Sequence, residues 1–220
     1  MSILFYIFFR MGKVIAFSNQ KGGSGKSTLS ANIAVLWSNS GYKVAVVDAD
    51  SQKSLTYWLE ARKKYYGEDD IGLTQYDFDI KNLIDEVKKI KRKYDYIIID
   101  SPPSITFETL QIIKTSDGLF VPVQPSPLDL MATLPFLQIA KQERKNPIIF
   151  LNRVMPRAKL TDAMILRLKY AGAKIARSRI SSKIIYAETF SVGRGVVDIS
   201  ISSDASREII NAGNEIIRSL

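Results

Sequence analysis

A glycine-rich stretch near the start of the chain constrains the fold more than any other feature of the sequence. The residues KGGSGKS at 21–27 follow a run of strand formers, KVIAFS at 13–18, and precede a helical apolar pattern that stops before Gly41. Glycines in such a loop let successive backbone N–H groups turn inward on a phosphate, and the following helix adds the positive end of its dipole. Strand, loop and helix in this order predict a phosphate-binding loop.

The rest of the chain alternates between apolar runs and helical patterns. Strands are predicted at 13–18, 43–48, 94–100, 118–123 and 147–152, and helices at 27–40, 54–66, 80–93, 107–115 and 130–142. A helix, a short strand, a short helix and a last helix from about 203 to 220 follow. Continuous apolar strands between helices predict an α/β fold, a doubly wound, mostly parallel sheet with helices on both faces. We expect one domain over 13–220, preceded by an extension at 1–12.

The extension contains an unbroken apolar run from Ile3 to Phe9. The run is far shorter than the ~20 residues that cross a bilayer, and it lacks the basic region and cleavage site of a signal peptide. Two interpretations are favoured: translation begins at Met11, or the run packs on the surface as a short extra strand. Contact with a membrane is a third.

Composition restricts the chemistry that the chain can perform. The 220 residues include no cysteine and no histidine, which excludes disulfides, zinc–thiolate sites, iron–sulfur ligation and an imidazole base. Carboxylates, lysines, hydroxyls and backbone N–H groups remain. Lysine and arginine outnumber aspartate and glutamate by 31 to 22, and the net charge of +9 suggests an anionic partner.

The positions of the residues in the glycine-rich loop predict which of them contact the nucleotide. Lys26 is expected to reach the terminal phosphates, Ser27 to bind Mg²⁺ through its hydroxyl, and Thr28 to reach the α-phosphate. The usual pattern G-x-x-x-x-G-K-[ST] is not met, because Gln20 stands where its first glycine would fall, and a second lysine opens the loop. The predicted nucleotide-binding residues of the loop are Lys21, Gly22, Gly23, Ser24, Gly25, Lys26, Ser27 and Thr28.

The segment KGGSGKS resembles the deviant Walker A motif of the ParA/MinD family of P-loop ATPases. In that family the early lysine reaches across a dimer interface to the phosphates of the nucleotide held by the other subunit. The resemblance implies ATP and Mg²⁺ as cofactors, an ATP-dependent homodimer, and a catalytic role for Lys21 on the partner's ATP while Lys26 serves its own. Two ATP molecules between subunits concentrate negative charge, which a lysine from each side neutralises.

The segment VVDADSQ at 46–52 resembles the family's D-x-D-P-Q switch. This resemblance implies that Asp48 helps to hold Mg²⁺ through its water shell and that Asp50 is catalytic, positioning the attacking water. Ser51 stands where the family usually has proline. The alternative role for Asp50 is to cap the helix that begins near Ser54.

Three later segments extend the resemblance. In YDYIIIDSPPS at 94–104, Asp100 matches the Walker B carboxylate that coordinates Mg²⁺. The segment VPVQPSPLDL at 121–130 resembles a proline-rich stretch of the ParA partition ATPases. The segment FLNR at 150–153 resembles the strand end that contacts adenine, which implies that Asn152 reads the base with Arg153 beside it.

The distribution of charge along the chain helps to distinguish between the branches of the family. Between 153 and 194 there are ten basic and two acidic residues, so this segment carries ten minus two, or +8 of the chain's +9. ParA relatives bind DNA without sequence preference in this region, and such binding requires neutralisation of phosphates. A solvated face is the alternative explanation. The candidate DNA-binding residues are Arg157, Lys159, Lys174, Arg177, Arg179 and Lys183.

The sequence therefore resembles short ParA-type DNA-partition ATPases that lack an N-terminal DNA-binding domain. The resemblance implies a cytoplasmic, nucleoid-associated protein whose hydrolysis is stimulated by a ParB-like centromere-binding partner. The last helix carries two glutamates on its polar face, which favours packing on the domain over contact with anionic lipid, so no membrane partner is expected. The alternatives are a MinD-like membrane-cycling ATPase, a positioning ATPase with a protein cargo, and a nucleotide-gated scaffold.

Overall fold

The computed structural model describes residues 11–68, 71–155 and 159–220, with residues 159 and 160 as backbone only. The apolar run from Ile3 to Phe9 and the candidate DNA-binding residue Arg157 lie outside these described residues. The boundary between an extension at 1–12 and a domain at 13–220 therefore stays a prediction.

Within the described residues, seven parallel strands form one sheet, which confirms the predicted fold class. Their order across the sheet is β3-β2-β4-β1-β5-β6-β7. The strands are β1 Lys13–Phe17, β2 Val44–Asp48, β3 Thr74–Tyr76, β4 Tyr96–Asp100, β5 Gly118–Val123, β6 Ile148–Val154 and β7 Lys174–Ser181.

Eight α-helices connect the strands and complete the described fold. They are α1 Lys26–Asn39, α2 Ser54–Tyr66, α3 Leu83–Ile90, α4 Phe107–Thr115, α5 Pro127–Gln142, α6 Lys159–Tyr170, α7 Ile185–Ser191 and α8 Asp204–Ser219. Short 3₁₀ turns lie at Ile80–Asn82 and Val196–Asp198. None of the helices in the described residues is long and apolar enough to cross a membrane.

One strand was missed and two helices have other limits than predicted, for identifiable reasons. The strand β3 was not predicted, because its three residues are half-buried or exposed and lack an apolar pattern. The helix α5 begins at Pro127 rather than at 130, since Ser126 caps it and proline fits the first helical position. The helix predicted over 80–93 is a 3₁₀ turn followed by α3, which ends at Ile90.

The sheet separates two apolar layers, because successive strand residues point to opposite faces. In β1, Ile15 and Phe17 pack with the layer that contains α1, α2 and α8. The alternate residues Val14 and Ala16 pack with the layer that contains α3, α4, α5 and α6. The strand β1 lies between β4 and β5, so the loops after β1, β4 and β6 meet at the carboxyl edge of the sheet, where ligands bind in such folds.

A buried ion pair joins α2 to the segment before α8. The Arg62 guanidinium donates to the Asp198 carboxylate at 2.7 Å, and both side chains are almost fully buried. Arg62 also donates to the carbonyl oxygens of Ile71 and Gly193, at 3.0 and 3.2 Å. Since α2 directly follows the predicted switch, this pair anchors the far end of the switch helix to the C-terminal part of the domain.

Removing the carboxylate should leave a buried, uncompensated guanidinium. We expect Asp198→Ala to lower the free energy of unfolding by about 3–5 kcal/mol. Asp77→Ala serves as the control, because Asp77 is 88% exposed and its 3.7 Å pair with Lys53 should contribute less than about 1 kcal/mol. Urea denaturation of both variants provides the measurement. Equal, small losses would show that the buried pair does not anchor α2.

Candidate nucleotide-binding site

The loop between β1 and α1 has the backbone shape of a phosphate-binding loop. Gly23 and Gly25 have φ values of 72° and 99°, in the left-handed region that favours glycine. A Cβ atom on Gly25 would lie 2.0 Å from the Asn152 side-chain nitrogen. Gly25 also stands immediately before the first turn of α1, so the helix N-terminus opens directly onto the loop.

Two neighbouring cavities border this loop. One, of about 270 Å³, is lined by loop residues and by Asp50, Gln52, Ser54, Pro103, Arg153 and Phe190. The other, of about 370 Å³, is lined by Asn152 and by residues of the 180–187 segment. Both cavities share Gly25, Thr28 and Arg153, so they form adjoining compartments. The first, the phosphate compartment, has the lining that phosphates require, and the second, the base compartment, contains the residue that the sequence predicts to read the base.

Lys26 and Asp100 form the buried electrostatic centre of the site. Lys26 is 5% exposed, and burial lowers the pKa of its ammonium, although the carboxylates of Asp100 and Asp50 oppose that shift. Asp100 is fully buried, and burial raises its pKa to about 7, with Ser27 and Lys26 pulling in the opposite direction. A phosphate would bring negative charge to Lys26, and a metal ion would bring positive charge to Asp100. This buried pair therefore suits a ligand that carries charges of both signs.

The Asp100 carboxylate also fits a divalent cation. Neither of its oxygens has a hydrogen-bond partner among the described residues, and an orphaned buried carboxylate is costly unless a ligand completes it. Ser27 supplies the hydroxyl next to it. Mg²⁺ prefers one or two such protein oxygens together with phosphates and waters. Ser27 and Asp100 are therefore the residues that would hold the ion, which supplies charge neutralisation to the phosphates when bound.

The two aspartates of the switch segment have different positions. Asp50 lines the phosphate compartment, and its carboxylate accepts from the Gln52 N–H at 3.0 Å. It does not cap α2, whose N-cap residue is Lys53 without a side-chain cap hydrogen bond. The Asp48 carboxylate instead accepts from the Thr56 N–H and hydroxyl, at 2.8 and 2.9 Å, and from the Asp50 N–H. Asp48 thus fixes the switch loop, and its predicted role toward Mg²⁺ stays a prediction.

Lys21 binds a carboxylate that the sequence did not identify. Its ammonium forms an ion pair with Asp129, whose side chain is fully buried at the start of α5. The Gln124 N–H donates to the same carboxylate at 3.2 Å, and the Gln124 side chain donates to the Gly23 carbonyl at 2.8 Å. The 124–129 segment therefore holds the entrance of the phosphate loop. The available sequence signal was the pair Ser126 and Pro127, which marks a helix start and places an acid in its first turn.

The base compartment contains the predicted residues Asn152 and Arg153. The Asn152 amide donates to the Ser24 carbonyl at 2.7 Å, and its oxygen accepts from the Arg153 N–H at 2.9 Å. Arg153 has a φ of 52°, a strained value for a residue with a side chain, and it borders both compartments. In this structure Asn152 joins β6 to the phosphate loop, and its reading of the base stays a prediction.

The candidate DNA-binding residues are distributed along the edge strand β7. Lys174, Arg177 and Arg179 are exposed there, and Lys159 begins α6. Helix α8 places two carboxylates against this strand. These carboxylates are left out when charges are counted only along residues 153–194. Glu208 pairs with Lys183 at 2.7 Å, and Glu215 accepts from the Arg177 and Ser178 N–H groups at 2.8 Å. The local excess therefore falls from +8 by two, to +6.

Titration of Asp100 gives a pH test of the site without nucleotide. Its pKa in the folded chain, about 7, lies above that of an unfolded aspartate, so the folded chain binds more protons between about pH 4 and pH 7. This contribution makes stability fall as pH rises through that window. Asp100→Asn removes it, and the variant should exceed the wild type by on the order of 4 kcal/mol at pH 8 and converge with it near pH 4.

The measurement is urea unfolding at several pH values in a chelator, with Asp77→Asn as the exposed control. Mg²⁺ and ATP together should stabilise the wild type at pH 8 far more than the Asp100→Asn variant. Parallel pH profiles for the wild type and Asp100→Asn would contradict the raised pKa.

Comparison with known proteins agrees with this geometry. Residues 15–194 match the family of CobQ/CobB/MinD/ParA nucleotide binding domains. The chain is 30% identical over 212 residues to the "Maintenance of carboxysome distribution protein A" of Halothiobacillus neapolitanus, covering 93% of this chain and 96% of the relative.

Two solved structures have the same fold. A variant of Cyanothece McdA in complex with ATP superposes with a TM-score of 0.77 at 19% identity, covering 93% of this chain and 96% of that one. The septum site-determining protein MinD of Pyrococcus horikoshii, complexed with Mg-ADP, superposes with a TM-score of 0.75 at 20% identity, covering 94% and 96%. Both of these similar chains hold an adenine nucleotide.

Proposed function

Because the chain belongs to the CobQ/CobB/MinD/ParA family of nucleotide-binding domains, we propose that it is an ATP-dependent DNA-partition ATPase. It is an ATPase of the ParA/MinD type with ATP and Mg²⁺ as cofactors. In the proposed cycle an ATP-bound dimer binds DNA without sequence preference, and hydrolysis, stimulated by a centromere-binding partner, releases it. The observation that carries the proposal is the position of Lys21 on Asp129, at the entrance of a loop whose own lysine is Lys26.

The two lysines of the loop are available for different phosphates. Lys26 is buried at the start of α1 beside Asp100, which suits the nucleotide of its own subunit. The Lys21 side chain is 34% exposed and its ammonium is neutralised by Asp129. When two loops face each other across bound ATP, Lys21 exchanges this carboxylate for phosphate oxygens of the partner's nucleotide. Lys21 keeps a charge-assisted contact through this exchange, and the Asp129 carboxylate keeps the Gln124 N–H and the Ser126 hydroxyl as donors.

Hydrolysis requires an attacking water in line with the terminal phosphate. Asp50 borders the phosphate compartment, and its hydrogen bond with the Gln52 N–H fixes the carboxylate within a tight turn. We assign it the positioning of that water, since the chain has no histidine to serve as a base. The raised pKa of Asp100 gives the site a second acid whose charge depends on the ligand present.

The DNA contacts are assigned to the exposed cations of β7. Lys174, Arg177 and Arg179 are exposed on β7, which is the edge strand of the sheet. One subunit offers a modest patch, but a dimer offers two with fixed spacing, so the second contact is intramolecular and multiplies affinity. DNA binding then depends on ATP, because ATP controls the dimer.

The full-length similarity to a carboxysome distribution protein supports a second candidate, a positioning ATPase with a protein cargo. The nucleotide-dependent dimer and the DNA-binding surface are the same in both candidates. They differ in the partner that stimulates hydrolysis, a centromere-binding protein in one and a cargo adaptor in the other.

The role of Lys21 predicts a separation of binding from dimerisation. Lys21→Ala should still bind one ATP per subunit through Lys26 and Ser27, but its ATP-dependent dimerisation should weaken by at least ~30-fold, because each loss leaves partner phosphates uncompensated. Analytical ultracentrifugation with a non-hydrolysable ATP analogue measures it, and Lys81→Ala, an exposed cation outside the loop, is the control. A Lys21→Ala protein that dimerises like the wild type would refute the cross-subunit role.

The DNA surface predicts a strong salt dependence and a nucleotide dependence. With ~6 phosphates engaged, affinity should fall on the order of 10³-fold between about 50 and 200 mM salt. Arg177→Glu with Arg179→Glu should weaken binding to two unrelated duplexes alike and leave dimerisation intact. Lys88→Glu with Lys89→Glu reverses two charges already paired within α3 and is the control. Equal affinity with ATP and with ADP, in a fluorescence anisotropy titration, would contradict the proposal.

A further inference from the structure

The carboxylate of Glu208 on helix α8 accepts four hydrogen bonds, two on each of its oxygens. Its Oε1 atom accepts from the Ser181 hydroxyl at 2.6 Å and from the Lys183 ammonium at 2.7 Å. Its Oε2 atom accepts from the Ser181 N–H at 2.9 Å and from the Tyr186 hydroxyl at 2.8 Å. An ionised carboxylate has about four acceptor sites, so Glu208 is saturated with donors.

The three residues that donate to Glu208 all line the base compartment. Ser181 ends β7, Lys183 lies in the connection that follows, and Tyr186 lies in the first turn of α7. Glu208 belongs to α8, and none of the described residues that line the compartment comes from that helix. Glu208 therefore acts on the compartment through these three neighbours rather than by contact with a ligand.

The connection between β7 and α7 has a weak helix start, which makes the bonds to Glu208 important for its shape. The N-cap residue of α7 is Ile184, whose apolar side chain is 76% exposed and cannot accept a capping hydrogen bond. The Ser182 N–H donates to the Val154 carbonyl at 3.0 Å, which ties the connection to β6. Glu208 ties the residues on both sides of Ile184 to α8. It thereby joins the end of β7 and the start of α7 into one wall.

The charges of this cluster are balanced within the fold. Burial opposes the ionised form of Glu208, but the hydrogen bonds from Lys183 and Ser181 outweigh burial and hold the pKa of this carboxyl below its usual range. Burial and the Glu208 carboxylate raise the pKa of Tyr186, so its hydroxyl stays a donor. Glu208 also neutralises the Lys183 ammonium. A wall whose lysine is already neutralised suits an uncharged base.

We propose that Glu208 is a positioning residue for the nucleotide base, because it fixes the 181–187 wall of the base compartment in the shape that receives the base of ATP. Side chains that are ordered before a ligand arrives do not lose that freedom on binding, which favours affinity. The inference rests on the ATP-binding part of the proposed function and does not require DNA binding. It assigns to α8 a role in nucleotide affinity, although this helix lies outside the nucleotide motifs of the sequence.

Glu215 provides a matched control on the same helix. It lies about two helical turns from Glu208, and its carboxylate accepts from the Arg177 and Ser178 N–H groups of β7 at 2.8 Å. Arg177 and Ser178 are not among the described residues that line the base compartment. Loss of the Glu215 carboxylate should therefore weaken the packing of α8 on β7, as loss of the Glu208 carboxylate does, without disturbing the wall.

The experiment is a competition titration of the full chain with Mg²⁺, in which a non-hydrolysable ATP analogue or inorganic triphosphate displaces a fluorescent nucleotide. Glu208→Gln should lower affinity for the analogue about tenfold or more, since a glutamine amide offers one acceptor oxygen where four donors converge. Affinity for inorganic triphosphate, which has no base, should be unchanged. Glu215→Gln should leave both affinities unchanged. Urea unfolding establishes that each variant is folded.

Tyr186→Phe is a milder second variant, because it removes one donor to Glu208 and keeps the ring. It should lower affinity for the analogue about threefold or more. In the double variant the two losses should not multiply, since both changes break the same hydrogen bond.

The proposal is overturned if each variant that folds binds the analogue like the wild type. It is also overturned if Glu208→Gln loses affinity for the analogue and for inorganic triphosphate alike, or if Glu215→Gln loses as much as Glu208→Gln. A wild type that binds inorganic triphosphate as tightly as the analogue would overturn it as well, because the compartment would then hold no base. The Lys21 and DNA assays do not depend on these results, so failure of this inference is distinguishable from failure of the proposed function.

Discussion

The burial of Asp100 at the end of a central strand is the constraint on which the nucleotide site depends. A fully buried carboxylate without a hydrogen-bond partner among the described residues is unfavourable in isolation, and the neighbouring Lys26 compensates it only in part. The parallel sheet makes this arrangement possible, because β4 is flanked by β1 and β2 and covered by helices on both faces. A nucleotide and its metal ion complete the charges that the fold alone leaves unbalanced.

The Lys21–Asp129 pair is a second case in which a lysine of the phosphate loop compensates a buried carboxylate, and here the lysine is partly exposed. Asp129 is buried at the start of α5, and the adjacent Gln124 binds the phosphate loop directly, so α5 and the loop form one unit. The carboxylate holds the Lys21 side chain where it is partly exposed. In the proposed dimer, a change of partner from Asp129 to phosphate would link the nucleotide state of one subunit to the surface presented to another.

Most of the fold was predictable because its strands are buried and apolar, which leaves a strong local signal. The exception was Thr74–Tyr76, an edge strand too short and too exposed to carry one. The phosphate loop was predictable as well, because the residues that identify it are contiguous in the sequence. The function of Asp129 was not, because it rests on contact with a lysine 108 positions away. The same limit applied to the basic segment, where Glu208 and Glu215 of α8 lie against β7 through tertiary packing alone.

The central claim is that Lys21 leaves Asp129 for the nucleotide of a second subunit when ATP is bound. The most direct measurement is a crystal structure of the Asp50→Ala chain with Mg²⁺ and ATP, since that variant should retain its nucleotide. The account predicts a dimer in which the Lys21 ammonium lies within hydrogen-bond distance of the partner's ATP phosphates and no longer contacts Asp129. An ATP-bound subunit in which Lys21 stays on Asp129, or turns to the phosphates of its own nucleotide, would contradict it.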